Sequence, residues 1–337
     1  STVPILRLCR AMASSESSIV RVRDAATMVV VRQRAQDRRR VLRAADLGLT
    51  SRDEQLPDSR WATVFGDADE VVFESGWEVL MGQREVVNHL RSTPGNVHLM
   101  RYPGEFVFAG GTVDTGESPL TAARRELVEE FGLLLPEDPV AHLLNVRQTR
   151  PVKNTSNVMF NFVVTAEENP DVAQFDIAAA NERLQQRRDQ FALCVADGSF
   201  ESLSKEEKEA VAPEVREIVW LDLAEAVSHA YTSMHKEFTP VNEFQRAALE
   251  EHGLKKRDPL FITMLSLLEL ETFPSTGALR AHSKAISMEE ARAKAQYYQS
   301  GVTLEEVKQV YASLDDSRVP TASDLKRLKE ERSRACL

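Results

Sequence analysis

The apolar residues of this chain fall into short blocks, and the spacing within each block predicts an element. Ala25 to Arg32 reads Ala-Ala-Thr-Met-Val-Val-Val-Arg, β-branched and too short for a helix, which predicts a buried strand. Trp77 to Arg84 alternates in the manner of a strand, and Phe106 to Gly111 gives a third. His142 to Gln148 and Val158 to Thr165 give two more, joined by a turn-forming stretch. A helical period takes over at Leu120, Ala123, Leu127 and Phe131, which share one side of a helix. Glu217 to Ala226 predicts a strand running into a helix, with Asp222 placed to cap it. Between Pro240 and Leu270, Phe244, Ala247 and Ala248, then Leu260, Phe261, Met264, Leu265 and Leu268, fit amphipathic helices on either side of Gly253.

Polar stretches divide these blocks. Residues 1–24 read as a flexible basic lead, and Phe273-Pro-Ser-Thr-Gly277 as a linker. Two charged stretches, near 34–75 and 171–212, interrupt the alternation of strands and helices. Arg34 to Leu49 reads as helical or irregular; residues 171–212 read as solvent-exposed helices around Asn181 to Asp189 and Ser204 to Val211. Residues 273–337 then form a helical tail, with helix-start patterns at Ser287-Met-Glu-Glu, Thr303-Leu-Glu-Glu and Thr321-Ala-Ser-Asp. Leu304, Val307, Val310 and Tyr311 share a face there that packs on the domain or on a partner.

The chemistry concentrates between Gly110 and Leu133. Gly110, Gly111 and Gly116 allow a tight loop, Thr115 or Ser118 can cap the helix after it, Pro119 suits a first helical turn and Gly132 ends the helix. Glu126, Glu129 and Glu130 stand at i, i+3 and i+4 beside the apolar side. Carboxylates so close repel one another unless a cation neutralises them. Hard divalent ions such as Mg²⁺ or Mn²⁺ accept these oxygen ligands and complete their shells with water and phosphate oxygens. Arg125 can pair with Glu129 or hold a catalytic carboxylate in place. An acidic patch on an arbitrary helix is a solvated face; the glycine loop and the register set this one apart. The implied chemistry is metal-assisted attack of water on a phosphate chain.

From Gly111 the fixed positions are Glu117, Arg125, Glu126, Leu127, Glu129, Glu130, Gly132 and Leu133, and they match the Nudix box in register. The chain therefore resembles a Nudix hydrolase, a pyrophosphohydrolase of nucleoside diphosphate derivatives. The resemblance implies an α/β fold, an α/β/α sandwich with a mixed sheet over residues 25–272, with the charged stretches as insertions and a C-terminal helical appendage. It implies that the Gly110 carbonyl, Glu126, Glu129 and Glu130 bind Mg²⁺ or Mn²⁺, and that Glu126, Glu129 and Arg125 are catalytic. Glu126 would be both ligand and base, Arg125 would orient the cluster, and Glu117 would support the loop. Arg84 matches the arginine that ends the strand before the substrate loop. Arg147, Arg150 and Lys153 either contact substrate phosphates or form a solvated basic hairpin. Glu167 and Glu168 stand where family members often place a further carboxylate. The segment Leu99 to Gly111 resembles the approach of the coenzyme A diphosphatase branch, except that Ala109 stands where that branch has proline.

Charge and composition bear on the substrate. A net charge of −10 argues against coating nucleic acid by bulk charge and leaves room only for a local basic groove. The first fifty residues carry ten arginines and no lysine, a bias that fits either the tail of a mitochondrial transit segment or a basic surface strand with a flexible lead. Cys9, Cys194 and Cys336 lack metal or redox spacing and read as free thiols. No run of eighteen apolar residues occurs, so no membrane contact is expected. The expected activity is pyrophosphate removal from the 5′ triphosphate end of RNA within a mitochondrial RNA-processing complex, with RNA and protein partners. Its place would be the mitochondrial matrix, or else the cytoplasm, and in style the chain is similar to Nudix proteins that stabilise edited mitochondrial mRNA. The alternatives are a coenzyme A or nucleotide-sugar diphosphatase and a non-catalytic subunit of an RNA–protein assembly.

Overall fold

A computed structural model describes residues 21–34, 39–47, 69–92, 98, 100, 104–149, 155–232 and 261–295. Its strands are β1 (Arg21–Gln33), β2 (Arg40–Arg43), β3 (Glu70–Phe73), β4 (Trp77–Arg84), β5 (Phe106–Val107), β6 (Ala109–Thr112), β7 (Ala141–Gln148), β8 (Thr155–Thr165) and β9 (Val215–Asp222). Its helices are α1 (Pro119–Phe131), α2 (Pro170–Ala173), α3 (Ile177–Ala196), α4 (Lys205–Val211), α5 (Leu223–Thr232), α6 (Phe261–Glu271), α7 (Thr276–Ala285) and α8 (Met288–Ala295).

The β-branched run in β1 makes it the central strand. It pairs parallel with β8 and antiparallel with β4 and β6, in the order β5-β4-β1-β8-β7, with β9 also along β4. Ala25 to Val31 are all buried because both faces of this mixed sheet are covered. Ala26, Met28 and Val30 meet Ala122, Ala123, Leu127 and Phe131 of α1 and Ala180 and Leu184 of α3. Val29 and Val31 belong to the other core, with Ala226 and Val227 of α5, Leu267 and Leu270 of α6 and Leu279 of α7. The result is an α/β/α sandwich.

Four features differ from the reading of the sequence. β1 begins at Arg21, inside the expected lead. The stretch expected to be helical or irregular after Arg34 contains β2, which is paired antiparallel with β3 in a separate two-stranded sheet; its partner lies far along the chain, so no local period reveals it. Within 171–212, α3 is more than an exposed helix: Asn181 brackets Ile218 on β9, donating to its carbonyl at 2.9 Å and accepting from its N–H at 2.7 Å. In α6 the fully buried apolar residues among those described are Leu267 and Leu270, while Leu265 and Leu268 are only partly buried.

The described part of the tail lies on the sheet. Trp77 Nε1 donates to the Phe273 carbonyl at 2.7 Å and Gln33 Nε2 to that of Pro274 at 3.0 Å, so the linker is pinned. Ser275 caps α7. β7 ends the sheet, and α7 covers its edge where a bulge interrupts pairing near Leu143: the Leu143 N–H donates to Ser283 Oγ at 2.9 Å, and His282 Nε2 meets the Leu144 carbonyl at 2.8 Å. Beyond it, Ile286, the C-cap of α7, and Ala291 of α8 reach the core on the α1 face. The expected apolar positions Phe244 to Leu260 and Leu304 to Tyr311 lie outside the described residues. Among those described, no helix is long and apolar enough to cross a membrane.

Candidate active site

Local rules set helix α1. Ser118, not Thr115, is the cap, and its Oγ accepts from the Thr121 N–H at 3.1 Å; Pro119 opens the first turn and Gly132 ends the last. The buried Ala122, Ala123, Leu127 and Phe131 fix the helix rotation, which turns Glu126 and Glu130 towards β6. A Cβ on Gly111 would lie 2.2 Å from Glu126 Oε1, so only glycine lets this carboxylate rest against the strand.

Glu130, one of the expected metal ligands, is buried, with 6% of its surface exposed. Its Oε2 accepts the Gly110 N–H at 3.0 Å, a tertiary bond that the helical period does not show. Burial pushes its pKa up to about 8, only partly opposed by Arg84 and by the Gly110 N–H. Burial also raises Glu126, with Arg125 opposing it and Glu129 and Glu214 adding to it. Glu129, by contrast, is exposed.

Arg125 ties the loop to the cluster. Its Nε and Nη2 donate to Glu117 at 3.1 and 3.2 Å, Nη1 to Glu126 Oε1 at 2.8 Å and to Glu129 Oε2 at 3.2 Å, and Nη2 also to the Thr112 carbonyl at 3.1 Å. Hydrogen bonding to Arg125 holds Glu117 below the usual carboxylate range. Glu117 accepts the Asp114 N–H as well, at 3.1 Å, and so closes the loop as expected.

Three residues complete the surroundings. Arg84 Nη2 lies 4.0 Å from Glu130 and 3.6 Å from Glu214. Glu214, just before β9, and Arg187, on α3, were not anticipated: β9 pairing with β4 brings the first, and the insertion helix brings the second. Glu214 acts electrostatically on Glu126 and Glu130, and Arg187 is in the field of Glu214 and Glu129. The only cue in the sequence was their charge. Arg147 turns elsewhere, to Glu269 of α6 at 2.7 Å, and Arg150 and Lys153 lie outside the described residues. Glu168 is likewise apart from the cluster, bound by His142 and Arg280 at 2.5 Å each.

The donors suit a hard divalent cation. Among the described residues no three acidic, histidine or cysteine side chains are already grouped so that they could hold a metal ion. The raised Glu126 and Glu130 mark a site short of positive charge, which such an ion would supply.

A glycine loop, a capped helix and glutamates tethered by one arginine define a site for a cation against a phosphate chain. The chain belongs to the Nudix family: the NUDIX domain model matches residues 68–241, just over half of it. It is a Nudix hydrolase, a class that generally uses a divalent metal. Similar solved structures include a MutT/Nudix family protein from Listeria innocua, at 15% identity and a TM-score of 0.27, covering 69% of this chain and 98% of that one. A NUDIX hydrolase from Nitrosomonas europaea stands at 13% identity and a TM-score of 0.28, covering 71% and 95%. A MutT NUDIX hydrolase from Burkholderia pseudomallei stands at 15% and 0.26, covering 68% and 97%. No curated protein sequence matches the chain.

Proposed function

We propose that this Nudix hydrolase removes pyrophosphate from the 5′ triphosphate end of RNA, with Mg²⁺ or Mn²⁺, within a mitochondrial RNA-processing complex. The observation that carries the hydrolytic part is the pair of carboxylates, the half-buried Glu126 and the buried Glu130, with raised pKa values beside an arginine-tethered loop. Glu126, Glu129, Glu130 and the Gly110 carbonyl would hold the metal, with Glu214 close by. When bound, the metal neutralises phosphate charge and makes a bound water acidic. Arg125 engages Oε1 of Glu126, so Oε2 is the atom to take a proton from the attacking water, and its raised pKa suits a general base. Arg84 and Arg187 flank the carboxylates as phosphate contacts.

The RNA reading draws on where basic residues stand. Arg21 and Arg23 are exposed on the leading end of β1, opposite Thr155 and Asn157 at the start of β8. The same end of β1 pairs with β6 from Ala25 to Met28. Two exposed arginines at this end of β1 fit an acidic protein that grips an RNA backbone at one place. The arginine-rich lead supports the mitochondrial setting.

The test is pyrophosphate release from 5′-triphosphate RNA with Mg²⁺, run beside coenzyme A and with Glu130→Gln as control. Turnover on RNA that falls with rising salt and vanishes in Glu130→Gln is the expected result. Turnover on coenzyme A alone would move the substrate to the metabolite branch suggested by Leu99 to Gly111. Silence on both would favour a non-catalytic subunit of an RNA–protein assembly.

A further inference from the structure

A row of polar side chains crosses the sheet on the face opposite α1, and it starts under the active-site loop. Thr27 on β1 stands opposite Gly110 on β6, and a Cβ on Gly110 would fall 2.7 Å from Thr27 Cγ2 and 2.8 Å from its Cα. Gly110 therefore rests on Thr27. Thr27 Oγ1 donates to Asn161 Oδ1 at 2.5 Å, Asn161 Nδ2 to Asn145 Oδ1 at 2.6 Å, and Asn145 Nδ2 to Glu269 Oε2 at 2.7 Å. Arg147 donates to the same Glu269 oxygen, and the β7 bulge is what sets Asn145 opposite Asn161.

The direction of every bond in this row is set by its far end. An ionised carboxylate can only accept, so Asn145 must turn its amide nitrogen to Glu269 and its oxygen to Asn161. Asn161 must do the same in turn, and Thr27 is left to donate. The bonds are polarised by the anion at the end. Thr27, Asn161 and Asn145 are all buried. Apolar side chains of similar volume would fill this layer without the cost of burying polar groups, so the fold alone gives no reason for the row.

We infer that Thr27 is a positioning residue of the active site. The row from Glu269 through Asn145 and Asn161 fixes the Thr27 side chain beneath Gly110, and thereby the Gly110 N–H that holds Glu130 and the Gly110 carbonyl assigned to the metal. Helix α6, from a segment remote in sequence, is by this route part of the catalytic apparatus. The inference rests on the hydrolase reading for its turnover arm alone.

Two near-isosteric changes in the full chain separate positioning from packing. Thr27→Val keeps the branched shape against Gly110 and loses the hydrogen bond; Thr27→Ser keeps the hydroxyl and loses the methyl. The readouts are Mn²⁺ affinity by calorimetry, hydrogen exchange at the Gly110 amide, and kcat and KM for metal-dependent hydrolysis. Thr27→Val is expected to weaken Mn²⁺ binding about fivefold, speed Gly110 exchange about tenfold and lower kcat about tenfold at unchanged KM, as displacement of a metal-site backbone would. Thr27→Ser keeps the hydrogen bond but removes the Cγ2 beneath Gly110, so it should show a smaller loss than Thr27→Val on each measure, and Glu269→Ala should move in the same direction as Thr27→Val. Thr27→Val indistinguishable from the parent in Mn²⁺ affinity and Gly110 exchange, or Thr27→Ser showing the larger loss, would overturn the inference. A parent protein that binds Mn²⁺ without turning over would count against the hydrolase reading only, because binding and exchange still decide this one.

Discussion

The two faces of the central sheet each carry acids withdrawn from water in part or in full, and they pair them differently. On the α1 face, Glu126 and Glu130 are pushed upward in pKa with their burial only partly offset. On the α6 face, Glu269 receives Asn145 and Arg147 on one oxygen, at 2.7 Å each. One face is left short of positive charge, which is the state a cation-binding site needs; the other is satisfied within the protein, which is what holds a strand still. The difference teaches that burial alone does not mark a reactive acid. Incomplete compensation does.

The apolar parts of the two faces should behave alike, and this is the largest effect. Leu127→Ala on α1 and Leu267→Ala on α6 each remove a fully buried side chain, and each should cost about 2 to 5 kcal/mol in chemical denaturation. A Leu267→Ala protein whose main transition does not move would separate α6 from the domain and end the comparison. Gly111→Ala should then split activity from stability. Its new Cβ would displace the flexible Glu126 carboxylate and little else, so turnover should fall about 100-fold while the melting temperature barely moves.

The third effect concerns pH. A buried carboxyl whose folded pKa is raised binds its proton more tightly folded than unfolded, so it favours folding at low pH and that contribution is lost as pH rises. For Glu130 the window runs from the ordinary value of 4.5 to about 8. Metal-free protein should therefore melt at lower temperature as pH rises through that window, and Glu130→Gln should flatten the slope while also removing metal binding. A Glu130→Gln protein that keeps the parent slope would end the contrast. Smallest are the helix caps: Ser118→Ala on α1 and Ser275→Ala ahead of α7 should each cost about 1 kcal/mol in equilibrium unfolding.

How much of this was legible depends on how local each determinant is. The α1 helix was, because its cap, its proline, its apolar side and its stop all lie within fifteen residues, and the same stretch displays the glutamates and Arg125. The orientation of α6 was not, because Phe-Ile-Thr-Met-Leu-Ser-Leu-Leu-Glu-Leu-Glu is apolar on nearly every side, and the side that is buried was settled by the sheet and α5. Burial of Glu130 depends on an N–H from another strand, the arrival of Glu214 on the β4–β9 pairing, and the partner of Arg147 on a residue 122 positions away. Only the fold joins such groups.

The clasp of α7 over β7 also has a consequence for how the protein is made. Synthesis runs from the N-terminus, so β7 emerges well before Ser283 and His282, and for that interval the strand presents bulged, unpaired backbone at the margin of the sheet. Such a margin invites pairing with another chain. A nascent or truncated chain lacking residues 276–285 should therefore self-associate more readily than the full chain.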